Sequence, residues 1–146
     1  MRRLRTVRTV RTVKSVRPAM RGLTLDTGAL IAFERADRAI ASRLKEALEG
    51  GRSITVPTVV VVEAWRGGGR SARLGPLLEA CRVEALSEPL ARRAGELLAK
   101  PPGATPIDAV VAASAAARGD VVVTSDRDDL VSLAAHCSGV DVIGIP

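Results

Sequence analysis

The chain has 146 residues, an apolar fraction of 47% and a formal net charge of +6. That length suits one domain with a sizeable core, and no run of 18 apolar residues offers a helical membrane span. The charge misleads if taken whole: residues 1–20 hold seven basic groups and no acid, leaving 15 basic against 16 acidic groups in residues 21–146. Nucleic-acid binding argued from charge alone would therefore rest on the first twenty residues. The N-terminus is positive but has no apolar stretch behind it, so it does not read as a secretory signal. Cys81 and Cys137 have no metal spacing and read as reduced thiols of a cytoplasmic protein.

Residues 5–16 repeat Arg-Thr-Val three times and close with Lys-Ser-Val. A period of three matches neither a strand nor a helix face, so residues 1–20 are expected to be a basic, low-complexity extension without fixed structure. Two readings stand: an arm that grips RNA or DNA phosphates, or a chain whose translation starts at Met20.

From Leu23 onward, β and α signals alternate. Residues 22–25 form a short strand, and Ala29 to Arg35 a helix. Asp37 caps a second helix that reaches Glu49, with apolar positions at Ile40, Leu44, Ala47 and Leu48, ended by Gly50 and Gly51. Residues 53–56 form a strand. Pro57 cannot donate to a sheet ladder, so the Val59–Val62 run ending in Glu63 is read as a helix despite its β-branching. Gly67, Gly68 and Gly69 break it, and a helix is expected over residues 71–80. Residues 82–86 read as a strand, 88–99 as a helix and 101–103 as a turn. Thr105 and Pro106 open an alanine-rich helix that ends near Gly119. Val121, Val122 and Val123 form a strand buried on both faces. A helix over 126–134 and a strand over 140–143 complete the chain. This alternation predicts an α/β fold with a parallel sheet of four to five strands and right-handed crossovers. Sites in such folds lie beyond the carboxyl ends of the strands.

Four acids follow apolar runs: Asp26, Glu63, Asp108 and Asp126. A parallel sheet would gather them at one end, where each pair at 4 Å repels by about 4 kcal/mol at an effective dielectric near 20. Protons or a divalent cation would relieve that repulsion, which makes a magnesium or manganese site the economical reading. Each acid also has a structural reading. Asp26 can be a helix N-cap. Asp108 fits a capping box with Thr105. Asp126, with Asp128 and Asp129, can favour a helix N-terminus capped by Ser125. Glu63 can pair with Arg66 one turn on.

The segment Leu23-Thr24-Leu25-Asp26-Thr27-Gly28-Ala29-Leu30 resembles the opening motif of PIN-domain ribonucleases. Val56-Pro57-Thr58 through Glu63 is similar to that family's second acidic motif. Pro106-Ile107-Asp108-Ala109-Val110-Val111-Ala112-Ala113 resembles the third. Val123-Thr124-Ser125-Asp126-Arg127-Asp128-Asp129-Leu130 resembles the fourth. The ordered set spans residues 22–146 and is closest to the VapC-type toxins of bacterial toxin–antitoxin pairs, while the basic repeat departs from the family pattern. The resemblance implies a PIN-like three-layer α/β/α sandwich over residues 21–146. It also implies metal-dependent hydrolysis of RNA phosphodiesters, with Mg²⁺ (or Mn²⁺) held directly by Asp26 and Asp108. Glu63 and Asp126 would hold metal-bound waters or a second ion, with Asp129 as an outer member. Thr27, Thr124, Arg66, Arg70 and Arg73 are the candidate substrate contacts. The family further implies a cognate antitoxin and a homodimer, for which the apolar helices at Ile40–Leu48 and Leu74–Leu78 are candidate faces.

No Cys or His cluster suits zinc, and His136 reads as a surface residue. Phe33 and Trp65 are the only aromatic residues, which leaves little material for base stacking. The alternative function is a non-catalytic PIN-like module that binds nucleic acid or protein, its acids serving only as caps. An aspartic protease shares Asp26-Thr27-Gly28, but needs a nearly all-β chain. A phosphatase would need a second Asp where Gly28 stands.

Overall fold

The computed structural model describes residues 21–100 and 103–145, so the expected extension over residues 1–20 and the start of the turn at Pro101 lie outside them. Five strands, β1 (Leu23–Leu25), β2 (Ile54–Pro57), β3 (Arg82–Glu84), β4 (Val121–Thr124) and β5 (Asp141–Gly144), form one sheet. All neighbouring pairs are parallel, and the order is β3-β2-β1-β4-β5. The chain builds outward from β1 to β3, then crosses back to lay β4 on the other side of β1. The reversal point therefore falls between β1 and β4, where ligands of such sheets bind.

Seven α-helices connect and cover the strands: α1 (Thr27–Glu34), α2 (Arg38–Glu49), α3 (Thr58–Ala64), α4 (Leu74–Ala80), α5 (Glu88–Leu98), α6 (Pro106–Arg118) and α7 (Arg127–Ala134). Local chemistry sets their ends. Asp37 accepts from the N–H groups of Ala39 (2.8 Å) and Ile40 (3.1 Å) to start α2. Thr105 caps α6 ahead of Pro106, and Gly119 closes it in the left-handed conformation, φ 70°. The alanine-rich α6 lies across β1, β2 and β4, and its small side chains let it approach closely. Every residue of β1, β2 and β4 is buried. This is the α/β/α sandwich that the motifs implied. Among the described residues, no helix is long and apolar enough to cross a membrane.

Four details differ from the sequence reading. β2 extends to Pro57, which lies beyond the pairing with β1 and opposite Glu84 of β3, where its missing N–H leaves no ladder gap toward β1. The helix expected over residues 71–80 begins at Leu74, after a 3₁₀ turn at Gly68–Ser71. The third strand stops at Glu84. The apolar positions of the helices offered for a dimer divide: Ile40, Leu44, Ala47, Leu74 and Leu77 are in the chain's own core, whereas Leu48 is exposed.

A second polar structure had no counterpart in the sequence reading. Arg118, at the end of α6, reaches Glu84 (2.8 Å), Asp120 (2.9 Å), and the hydroxyls of Thr24 and Ser114 (both 2.8 Å). Thr24 in turn donates to Asp120 at 2.8 Å. One guanidinium thus ties α6 to β1, β3 and the start of β4.

Candidate active site

Asp26 and Asp126 stand at the carboxyl ends of β1 and β4, on either side of the reversal point of the sheet. Asp26 leaves β1 and caps α1: one carboxylate oxygen accepts the Ala29 N–H at 3.0 Å, and the other accepts the Thr124 hydroxyl at the end of β4. The Thr124 oxygen also accepts the Asp126 N–H at 2.9 Å, so a single hydroxyl links Asp26 to the β4–α7 loop. Gly28 makes this junction possible. A Cβ added there would lie 1.9 Å from Ser125 Oγ and 3.0 Å from the Ser125 backbone nitrogen.

Asp26 is only 6% exposed. Burial pushes its carboxyl up to about 6, against the opposing pull of Thr124 and the Ala29 N–H, and the negative charges of Asp108 and Asp126 add to the rise. Asp108, half-buried in the first turn of α6, is also raised. Burial is the main cause, the Thr105 hydroxyl and N–H oppose it, and Asp129 and Asp126 reinforce it. Asp26, Asp108, Asp126 and Asp129 therefore share one electrostatic site. Capping and site membership coexist in Asp26 and Asp108. Asp126 precedes the first residue of α7, but its side chain makes no capping bond.

Glu63 joins from the other side. It is exposed on α3 and accepts from the Thr27 hydroxyl at 2.5 Å, next to Asp26 in the chain. The pairing with Arg66 is not formed: that guanidinium turns back to the carbonyls of Trp65 (2.8 Å) and Val62 (3.3 Å). Thr27 and Thr124, read as substrate contacts, each donate a hydrogen bond to one of the acids. Arg73 is partly committed, donating to the Phe33 carbonyl at 3.2 Å with its guanidinium 5.3 Å from the ring centre. Arg66 and Arg70 stay exposed. His136 is exposed and lies in a groove of about 360 Å³ with Arg93, Glu96 and Lys100, lined by none of Asp26, Glu63, Asp108, Asp126 and Asp129. Cys81 and Cys137 are free thiols.

None of the five acids forms a salt bridge among the described residues. Nor do three or more His, Cys, Asp or Glu side chains converge there as a ready chelating group. The donors nevertheless fit a hard cation. All are oxygens, and Mg²⁺ keeps several waters and needs only one or two direct carboxylates.

Fold and site together define an open parallel α/β domain that gathers acids at its reversal point. The PIN domain family model matches residues 23–135, and the chain belongs to the PIN-domain family. Solved structures share the fold. VapBC2 from Rickettsia felis, bound to a DNA fragment from its promoter, is 13% identical with a TM-score of 0.68, covering 85% of this chain and 98% of its own. A toxin–antitoxin complex from Klebsiella pneumoniae is 21% identical with a TM-score of 0.65, covering 85% and 100%. VapC20 from Mycobacterium tuberculosis, a toxin that cleaves the sarcin–ricin loop, is 21% identical with a TM-score of 0.59, covering 82% and 98%. No curated protein sequence matches the chain.

Proposed function

We propose that this protein is a metal-dependent endoribonuclease, the toxin of a toxin–antitoxin pair, acting in the cytoplasm. The observation that carries the reading is a buried carboxylate, Asp26, held among other acids with no cationic side chain of the described residues to neutralise it. A carboxylate buried beside other acids and left without a neutralising partner is suited to receive a cation from outside.

Asp26 and Asp108 would hold Mg²⁺ or Mn²⁺, with Asp126, Glu63 and Asp129 around it. When bound, the ion supplies a lowered pKa for water and neutralises charge on the transferring phosphoryl group. Asp26 presents its carboxylate in one fixed orientation, because Thr124 and the Ala29 N–H each hold one oxygen. Glu63 has one oxygen held by Thr27, and its other can accept from a water. Arg66 and Arg70 offer positive charge to the RNA backbone. The antitoxin reading is supported by the toxin–antitoxin complexes among the structural neighbours. A homodimer is the assembly the VapC resemblance implies. The lack of a preformed three-acid chelate favours one rival, a module that binds RNA without cutting it.

The test is RNA cleavage with Mg²⁺ or Mn²⁺, with and without EDTA, by the native chain and by Asp26→Asn and Asp108→Asn. Cleavage should vanish with EDTA and drop at least about a hundredfold in either variant. Binding without cleavage by the native chain identifies the rival module. Equal cleavage by all three proteins removes the site assignment.

A further inference from the structure

The loop after Glu63 holds the chain's one tryptophan, and that side chain is outside the core. Trp65 follows the last residue of α3 with its backbone turned extended (φ −76°, ψ 129°). It is 41% exposed, in a chain whose core is aliphatic. Its Cη2 edge sits near α4, 4.0 Å from where a Cβ on Gly75 would lie. Only Ala64 separates it from Glu63, which places their Cα atoms within about 7 Å of each other.

The loop is built to hold this position. The buried Ser71 hydroxyl accepts the N–H groups of both Arg66 (2.9 Å) and Gly67 (3.0 Å). Gly67 and Gly68 take left-handed conformations (φ 76° and 56°) that let the chain double back onto Ser71. The ring is thus carried on a clasped backbone. The loop that carries it is basic: from Ala64 to Leu78 the sequence has Arg66, Arg70 and Arg73 and no acid. An exposed indole followed by Arg66 and Arg70, both exposed and neither in a salt bridge among the described residues, suits a chain of alternating bases and phosphates.

We propose that Trp65 is a stacking platform for an unpaired base of single-stranded RNA beside the acidic pocket, with Arg66 and Arg70 on the neighbouring phosphates. This rests on the ribonuclease reading and adds a substrate preference: single strands or loops over duplex, with little dependence on base identity at that position, because every base has a π face.

The tryptophan is its own probe, since the chain has one Trp and no Tyr. The full chain carrying Asp26→Asn is titrated with a short single-stranded RNA of mixed sequence, and with the same sequence as a duplex. Tryptophan emission and the anisotropy of labelled RNA are both followed. Single-stranded RNA should quench the emission saturably, and the duplex should quench it much less. Trp65→Leu, which keeps an apolar side chain against α4 but loses the ring, should weaken single-strand binding about tenfold, and Trp65→Phe should recover most of it. The thermal midpoints of both variants show whether the fold survives. RNA binding with unchanged emission and equal affinity for Trp65→Leu overturns the proposal. So does equal quenching by duplex, or an emission change that follows protein concentration instead of RNA, which would mark a protein interface. The ribonuclease reading fails separately, by absence of cleavage in the native chain with metal.

Discussion

Asp120 and Asp26 are both buried acids at the ends of central strands, one just before β4 and one just after β1. Asp120 lies against Arg118 and the Thr24 hydroxyl, in a network whose other carboxylate, Glu84, shares the same guanidinium. Asp26 has a hydroxyl and one backbone N–H, and its nearest charges are other acids. The difference is visible in the titration of the two clusters. Burial pushes Glu84 up, but the Ser114 hydroxyl and the Arg118 charge outweigh it and hold the carboxyl below its ordinary value. Asp26 is driven the other way, to about 6. Internal neutralisation marks an acid that holds the fold together. Burial left without a neutralising cation marks an acid kept for something else.

The comparison breaks most visibly at Arg118. Arg118→Met keeps much of the apolar stem but strands two carboxylates, and should cost about 3 kcal/mol of stability by urea denaturation. A loss below about 1 kcal/mol would mean that the network is mainly solvent-screened. The two ends should also respond oppositely to pH. In metal-free buffer the folded chain keeps the Asp26 proton up to about pH 6, whereas the unfolded chain loses it near the ordinary 3.8. Folded protein then binds more protons across that window, so this group's contribution to stability falls as pH rises through it. Asp26→Asn removes the penalty and should be more stable than the native chain above pH 6, by about 2–3 kcal/mol. Glu84 has the reverse sign: its contribution is complete above the ordinary 4.5 and is lost as pH falls. Denaturation curves of the native chain and Asp26→Asn between pH 4 and 8 check this, and parallel curves would remove the contrast. The smallest effect is at Gly28→Ala. Ser125 Oγ can rotate away, but the Ser125 backbone must also shift, so about 1–2 kcal/mol of stability should be lost.

Much of the architecture was legible because apolar runs, capping residues and glycines act locally. Val121–Val123 could only be a doubly buried strand, and Thr105-Pro106 could only open a helix. The acids at 26, 108 and 126 were legible because each follows or starts such an element. The partners of those acids were not. Thr27 finding Glu63, or Thr124 finding Asp26, depends on which strands become neighbours, and β1 meets β4 only through long-range topology. Arg118 reads in sequence as an ordinary cation at a helix C-terminus. Asp120 did carry a signal: an acid directly before a buried valine strand needs a partner. Trp65 was discounted by counting aromatics, and its exposure depends on a loop clasp that no local pattern announces.

The hydroxyl that steadies Asp26 is supplied by residue 124, late in the chain. Synthesis runs from the N-terminus, so a nascent polypeptide carries the first acid long before it carries the strand that orients it. On the ribosome, a nascent copy therefore lacks this contact until β4 has emerged.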